Sequence, residues 1–107
     1  MKPFTSNVIK ILRSIPAGKV MTYGQVAKIA GSSRGARQVV RVLHSMSDKY
    51  QLPWQRVVNA SGKISIQNEE AKMLQKQLLE EEGMVFEEND QISLKKYIYD
   101  PVELMEE

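Results

Sequence analysis

Two helical patterns separated by a short glycine-containing turn constrain the fold of this chain more than any other feature. The first, TYGQVAKIAG, opens with Thr22 and Gln25 at the spacing of a capping box, and Gly31 suits the position just after its last turn. The turn GSSR leads directly to the second pattern, RGARQVVRVLHSM. A helix, a short turn and a second helix are typical of a helix-turn-helix. The chain is therefore a candidate DNA-binding module.

The second helical pattern has one apolar face and one basic face. Its apolar residues recur at i, i+3, i+4 and i+7 and are predicted to face the core, namely Ala36, Val39, Val40 and Leu43. Arg34, Arg37 and Arg41 fall roughly opposite, together with Gln38. A solvated helix face usually mixes charges of both signs, whereas these arginines have no acid nearby. The pattern favours contact with phosphates or bases.

Shorter patterns predict the remaining elements. Helical spacing in FTSNVIKILRSI predicts a first helix that ends at the turn PAGK. RVVNASGKIS and MVFEENDQISLKKY are predicted to form two hairpins, the second turning at Asn89 and Asp90. Between them, NEEAKMLQKQLLEEEG predicts a fourth helix that ends at Gly83. Its predicted inward residues are Met73, Leu74 and Leu78, with Gln77 as a further candidate.

The order of these elements predicts one domain over residues 1–107. Several short helices with small hairpins indicate an α+β, mainly α fold of the winged helix-turn-helix type. Residues 98–107 are expected to form a loose tail.

The absence of cysteine excludes several kinds of chemistry. Without a thiol the chain has no disulfide, no thiolate metal site and no cysteine nucleophile. Its one histidine, His44, leaves little material for a zinc site or a histidine-activated nucleophile. The sequence contains no apolar run of about 18 residues and no signal-peptide pattern. We therefore expect a soluble, cytoplasmic monomer, nucleoid-associated if bacterial, with no metal, cofactor or membrane contact.

The small net charge conceals a strong division of charge along the chain. Residues 1–64 hold eleven Lys and Arg against one acid, Asp48, which gives +10. Residues 65–107 hold four Lys against twelve acids, which gives −8, and the two halves sum to the net +2. A basic segment of this size suggests a polyanionic partner. The alternative is that the two halves neutralise each other across an internal interface.

A set of ordered motifs resembles a known family. IPAGKVMTYGQVAKIAGSSRGARQVVRVLH, PWQRVVNASGKIS and LLEEEG are similar to the DNA-binding domain of the O6-alkylguanine-DNA alkyltransferases, over about residues 4 to 84. In those enzymes the segment matching PWQRV reads Pro-Cys-His-Arg-Val, and its Cys takes the alkyl group from guanine. Here Trp54 stands at the Cys position and Gln55 at that of the activating His. The chain thus resembles the alkyltransferase-like proteins, which bind the same lesion without repairing it.

The chemistry of the residues agrees with this resemblance. Removing an alkyl group from an O6 ether needs a soft, activated nucleophile, normally a thiolate with a base nearby. The chain has no thiol, and no His lies near Trp54 in the sequence. Alkyl transfer by the family mechanism is therefore not possible, and we expect a protein that is not an enzyme. Trp54 can instead stack on a base and donate one hydrogen bond, although a lone Trp could also simply fill the core.

The resemblance also implies a lesion pocket, made of Tyr23, Trp54, Val57, Gln67 and Glu82. Tyr23 matches the tyrosine that crowds the target phosphate and helps to rotate the nucleotide outward. Arg37 matches the arginine finger that enters the duplex through the minor groove. Their ordinary alternatives are packing for Tyr23 and a phosphate contact for Arg37. Gln67 departs from the family, whose members carry Tyr or Arg there, so a cation–π lid over the base is not expected.

Further residues are implied to contact the DNA backbone. They are Lys19, Thr22, Lys28, Ser32, Arg34, Gly35, Ala36, Arg41 and Ser61. Gly35 and Ala36 match small residues that let the helix approach the duplex closely. Arg56 and Asn59 are predicted to be structural and to tie the Trp54 turn to the hairpin.

The implied function is recognition of damaged DNA. The protein would bind O6-alkylguanine in double-stranded DNA by nucleotide flipping and mark the lesion for nucleotide excision repair through a UvrA-type protein. A winged-helix transcription regulator that reads undamaged DNA in the major groove is the first alternative, and it predicts a base consensus and a dimer. A glycosylase or residual alkyltransferase acting through water is the second.

Overall fold

The computed structural model describes residues 1–101. Its helices are α1 (Pro3–Ser14), α2 (Tyr23–Ala30), α3 (Ala36–Tyr50), α4 (Glu69–Glu81) and α5 (Leu94–Tyr97). Two strands, β1 (Met21–Thr22) and β2 (Val57–Val58), and 3-10 helices at Trp54–Arg56 and Glu88–Asp90 complete the order. The prediction of a mainly α, α+β fold is confirmed. No helix in this part of the chain is long and apolar enough to cross a membrane.

The first three helices enclose the main core. α1 begins at Pro3, whose fixed φ suits a first helical turn, and ends before Ile15, which is extended ahead of Pro16. Its buried residues are Val8, Ile9, Ile11 and Leu12. They pack against α2 and α3 in a cluster that also includes Met21 and Val57. This core holds β1 and β2 against the helices.

Helices α2 and α3 form the predicted helix-turn-helix. Thr22 Oγ1 accepts a hydrogen bond from the Gln25 N–H at 3.1 Å, and the Thr22 N–H donates to Gln25 Oε1 at 3.2 Å. The predicted capping box is therefore confirmed. Gly31 ends α2 at φ +116°, a left-handed conformation that glycine adopts without strain.

The core face of α3 differs from the predicted one. Val39 is buried as predicted, but Val40 is 41% exposed and Val42 points inward instead. The core side consists of Val39, Val42, Leu43, Met46 and Tyr50. The prediction for Val40 is wrong because two overlapping apolar stripes fit the same sequence. Packing against α1 and α2 selects one of them.

The two strands pair in parallel, with Met21 opposite Val57 and Thr22 opposite Val58. The predicted hairpin over RVVNASGKIS is wrong about the partner of β2, since β2 pairs with β1. Both residues of β2 are fully buried. Their backbone groups need hydrogen-bond partners inside the protein, and the neighbouring strand is β1. The turn itself is present, because Asn59 Oδ1 accepts hydrogen bonds from two N–H groups of residues 61–63.

Helix α4 is present where it was predicted, but its inward face was predicted wrongly. Asn68 caps it by accepting a hydrogen bond from the Ala71 N–H at 2.9 Å. Of the residues predicted to face inward, Met73 is 71% exposed, Leu74 is 46% exposed and Gln77 is also exposed, while Leu78 is half-buried. The buried residues of α4 are Gln75 and Leu79.

A polar interaction sets this rotation of α4. Gln75 Nε2 donates hydrogen bonds to the backbone carbonyls of Gln55 at 3.0 Å and Val57 at 2.9 Å. Buried carbonyls need such partners, and apolar periodicity does not register them.

The second predicted hairpin is confirmed only at its turn. Glu87 and Gln91 form an antiparallel bridge around Asn89 and Asp90, whose φ values are +63° and +55°. The residues beyond the bridge form α5 and no second strand, so that part of the prediction is wrong.

The expected loose tail is corrected at its start. Ile98 bridges Val20 in parallel, the Tyr99 N–H donates to the Val20 carbonyl at 2.8 Å, and Pro101 is buried. Gln25 Nε2 donates to the Tyr99 carbonyl. Backbone groups beside β1 need partners, and this segment supplies them. Residues 102–107 of the predicted tail lie outside the described residues.

Candidate nucleic-acid interface

The basic face of α3 is exposed. Arg34 precedes the helix, and Arg37 and Arg41 project from its first half. None of the three takes part in the ion pairs found within residues 1–101. The N-terminus of α3 adds a partial positive charge beside them. The result is a cationic surface whose guanidiniums are free to contact phosphates or bases.

The other predicted backbone-contact residues are spread over several segments of the chain. Lys28 is exposed on α2, Ser61 is exposed in the turn after β2, and Lys19 and Ser32 are half-buried in the turns before β1 and after α2. Thr22 Oγ1 already accepts the capping hydrogen bond, but its hydroxyl proton can still be donated. Together with Arg34 and Gly35, Ser32 makes the turn between α2 and α3 the segment that holds most of the predicted backbone-contact residues.

Gly35 has an intramolecular reason to be glycine. It is buried at the start of α3, and a Cβ added there would lie 2.7 Å from Phe4 Cζ and 3.2 Å from the Ser32 carbonyl oxygen. The Phe4 ring therefore packs directly against the Gly35 backbone. Ala36, the next residue, is half-buried.

Trp54 stands on a tight turn immediately after α3. Gln51 ends α3 with φ +52°, and Leu52, only 5% exposed, anchors the chain in the core. The Trp54 N–H donates to the Leu52 carbonyl at 2.8 Å and opens the 3-10 helix that leads into β2. The Trp54 side chain is half-buried, so part of it remains accessible. Within residues 1–101, Trp54 is not among the partly buried residues that pack against the two core clusters.

Glu82, at the end of α4, holds the Trp54 turn from behind. Gln55 Nε2 donates to its Oε2 at 2.9 Å, and Arg56 Nε donates to Oε1 at 3.0 Å and to Oε2 at 3.1 Å. The Gly18 N–H donates to Oε1 at 2.9 Å, and Arg56 Nη1 reaches the Ile15 carbonyl at 2.9 Å. The two residues after Trp54 are thus tied to one carboxylate and to the end of α1. Arg56 is structural as predicted, but it ties the Trp54 turn to Glu82 and Ile15 and not to the predicted hairpin.

The Glu82 carboxylate is stabilised in its charged form. Burial by itself would raise the pKa of Glu82, but hydrogen bonds from Arg56, Gly18 and Gln55 outweigh it and hold the pKa below its ordinary value. The carboxylate is therefore ionised at neutral pH. It supports the Trp54 turn, and its oxygens are already occupied by four hydrogen bonds.

Gln75 is a supporting residue that the sequence did not reveal. It is fully buried, and its two hydrogen bonds fix the carbonyls on either side of Arg56. Its Oε1 accepts no hydrogen bond from any residue between 1 and 101. The sequence signal that could have indicated the burial of Gln75 is its spacing of four residues from Leu79, which places both on one helix face.

Tyr23 begins α2 and packs half-buried against the main core. Burial raises the pKa of its phenol, and a hydrogen bond with the Ser65 side chain offsets this in part, so the net pKa is raised. Because β1 and β2 run parallel, Tyr23 follows the end of one strand and Trp54 precedes the start of the other. Their backbones therefore lie at opposite ends of the strand pair.

The remaining predicted pocket residues lie in different environments. Val57 is fully buried in the core, so its side chain presents no open surface, contrary to a pocket-lining role. It belongs to β2, and the main cluster covers it completely. Gln67 is exposed on the connection that leads to α4, two residues after Ser65. That connection approaches Tyr23 through Ser65.

Comparison with known proteins identifies relatives of this chain. The family profile of the 6-O-methylguanine DNA methyltransferase DNA-binding domain matches residues 3–84. A DNA base-flipping protein from Vibrio parahaemolyticus is 41% identical over 101 residues, covering 94% of this chain and 100% of the relative. One from Escherichia coli is 45% identical over 94 residues, covering 88% and 72%. The crystal structure of Schizosaccharomyces pombe Atl1 with damaged DNA containing O6-carboxymethylguanine matches with a TM-score of 0.83 at 33% identity, covering 94% of this chain and 98% of that one.

Proposed function

The chain belongs to the alkyltransferase-like branch of the 6-O-methylguanine DNA methyltransferase DNA-binding family, and we therefore propose that it binds damaged DNA by base flipping. The lesion is O6-alkylguanine in duplex DNA, which the protein holds against Trp54 with the alkyl group left in place. The observation that carries the proposal is the Trp54 turn. The half-buried Trp54 stands at the position of the family's acceptor Cys, on a backbone that Glu82 holds in place.

The basic face of α3 supports the DNA-binding part of the proposal. Its three arginines are exposed and have no carboxylate partner among residues 1–101. In the proposed complex Arg37 enters the duplex and occupies the space that the flipped base leaves. Arg34 and Arg41 bind phosphates on either side of it.

The energies of these steps are compatible with selective binding. Extruding a base costs a few kcal/mol of stacking and pairing, and the cost is lower for an alkylated guanine that already pairs badly. Stacking on Trp54 and insertion of Arg37 each return on the order of 1–3 kcal/mol. For normal guanine the free energy gained from these contacts is close to the free energy of extruding the base. For the alkylated guanine the free energy gained is larger. Selectivity then needs no catalysis.

The proposed complex ends without chemical repair. The chain has no thiol to accept an alkyl group, and Gln55, which stands at the position of the family's His, is bound to Glu82. The lesion therefore stays in the DNA while the protein is bound. We propose that the complex marks the site for nucleotide excision repair through a UvrA-type protein.

Fluorescence anisotropy with labelled duplexes tests lesion recognition. One duplex carries a single O6-methylguanine and its control carries guanine at the same place. We expect tighter binding of the modified duplex, and Trp54→Ala should reduce this preference about tenfold or more because it removes base stacking. Trp54→Phe is the matched variant, since it keeps an aromatic surface and should retain most of the preference.

Two outcomes would contradict the proposal. Equal affinity of the wild-type protein for both duplexes would exclude lesion recognition, and selection of a base consensus from random undamaged DNA would favour the transcription regulator. After long incubation with excess protein, we expect mass spectrometry to find the O6-methylguanine of the duplex intact. Its loss would mean that the protein is an enzyme.

A further inference from the structure

The outer face of α4 has no use in the proposed DNA complex. It consists of the exposed residues Glu69, Glu70, Met73, Leu74, Gln77, Glu80 and Glu81. At 100° per residue, Met73 and Gln77 lie about 160° from the buried Gln75, so they form the centre of this face. Met73 is 71% exposed and Leu74 46%. Beside them a groove of about 430 Å³ separates α4 from Asp90.

Met73, the apolar residue at the centre of the outer face, lies among more acidic than basic side chains. None of the four glutamates of this face takes part in an ion pair within residues 1–101. Lys72 and Lys76 also border the groove. Lys76 is paired with Asp90 at 2.9 Å, which leaves Lys72 as the one lysine of the groove without an ion pair within residues 1–101, against four glutamates. A large exposed apolar side chain among glutamates that outnumber the neighbouring lysines matches a partner that carries apolar and basic residues together.

The outer face points away from the proposed DNA-binding elements. The opposite, buried side of α4 contacts the Trp54 turn through Gln75, whose hydrogen bonds reach the carbonyls of Gln55 and Val57. Four glutamates would also repel phosphates. DNA on the α3 side and a protein on the outer face of α4 can therefore be bound at the same time.

We infer that the outer face of α4 is a docking surface for a protein partner that presents a basic amphipathic helix. The Met73 side chain inserts into the apolar stripe of that helix, and its Lys and Arg residues pair with the glutamates on both flanks. A second copy of this chain does not fit this surface. A symmetric dimer through it would place four glutamates against four glutamates. The inference goes beyond the proposed function, because it does not depend on lesion recognition.

A synthetic peptide tests the surface directly on the full chain. The probe is an amide-capped helical peptide of about 18 residues with Leu along one face and Lys elsewhere, and its control carries Glu in place of every Lys. We expect the Lys peptide to bind and the Glu peptide not to bind by calorimetry. Amide NMR shifts on titration should concentrate on residues 69–81 of α4.

Two matched substitutions locate the contact. Met73→Ser should weaken peptide binding about tenfold, whereas Val85→Ser, at another exposed apolar residue, should leave it unchanged. Exchanging Glu70 and Glu81 for Lys should abolish binding of the Lys peptide. DNA affinity of Met73→Ser should equal that of the wild type, which keeps this test separate from the test of lesion binding.

Three results would overturn the inference. The first is equal peptide affinity of Met73→Ser and the wild type. The second is binding of the Glu peptide as tightly as the Lys peptide. The third is a concentration-dependent dimer in sedimentation that Met73→Ser dissociates, because a second copy of the chain would then be the occupant.

Discussion

Replacing Glu82 by glutamine tests whether one carboxylate holds the Trp54 turn. The Glu82 side chain is 13% exposed and that of its partner Arg56 20%. A glutamine of the same shape keeps one oxygen but turns an NH₂ group toward the N–H donors of Gln55, Arg56 or Gly18. At least one charge-assisted hydrogen bond is lost and two donors then face each other.

The expected cost follows from these contacts. A hydrogen bond to a charged group contributes about 1.5–3 kcal/mol, and partial exposure reduces this value. We expect Glu82→Gln to lower the free energy of unfolding by about 2 kcal/mol at pH 7. For a chain of this length, that corresponds to a fall in Tm of about 10 °C.

The pH dependence of this difference has a definite sign. The folded-state pKa of Glu82 lies below its ordinary value, so its stabilising effect is fully present above the unfolded-state pKa. That effect is lost as the pH falls through the folded-state pKa, because the protonated carboxyl then resembles the amide. The gap between wild type and Glu82→Gln should therefore close at acid pH.

Urea unfolding followed by Trp54 fluorescence measures both effects, since Trp54 is the chain's only tryptophan. Glu81→Gln, at an exposed neighbouring residue, is the control and should change stability by less than about 0.5 kcal/mol. A Glu82→Gln variant as stable as this control at pH 7 would refute the reasoning. A stability difference between wild type and Glu82→Gln that stays constant from neutral to strongly acid pH would refute it as well.

Three further substitutions have defined outcomes. Gln75→Leu removes the side-chain donor of the Gln55 and Val57 carbonyls and should cost about 1–3 kcal/mol in urea unfolding. A cost near zero would mean that these carbonyls find other donors. Gly35→Ala should lower the free energy of unfolding by about 1–3 kcal/mol, because the added Cβ meets the Phe4 ring. This loss should be smaller in a Phe4→Leu background. Equal losses in both backgrounds would exclude the contact with Phe4 as the cause. Arg37→Ala should weaken binding to O6-methylguanine DNA by about 1–3 kcal/mol in anisotropy titrations. Arg37→Lys should recover little of this loss if the guanidinium inserts into the duplex, and nearly all of it if Arg37 only contacts a phosphate.

Much of the local structure was predictable from the chain alone. The capping box at Thr22, the left-handed Gly31 and the turn at 89–90 depend on residues within four positions of one another. Such interactions leave a direct pattern in the sequence, and four of the five helices were predicted from it. The arginines of α3 and the place of Trp54 in its motif were equally visible.

The interactions that support the Trp54 turn could not be predicted from the sequence. Glu82 was expected near the pocket, yet its role as the acceptor for Gly18, Gln55 and Arg56 depends on contacts across 26 to 64 residues of chain. The burial of Gln75 has the same origin. Hydrogen bonds between distant segments leave no spacing that a single sequence can display.

Helix positions, caps and turns came from short-range steric and hydrogen-bonding preferences, which a sequence carries within itself. The choice of Val42 over Val40, the inward rotation of Gln75, and the pairing of residue 98 with Val20 came from packing between distant segments. An apolar stripe can be drawn in more than one register on the same helix. Only its neighbours, which bury one register and supply partners for its polar groups, decide which one the molecule adopts.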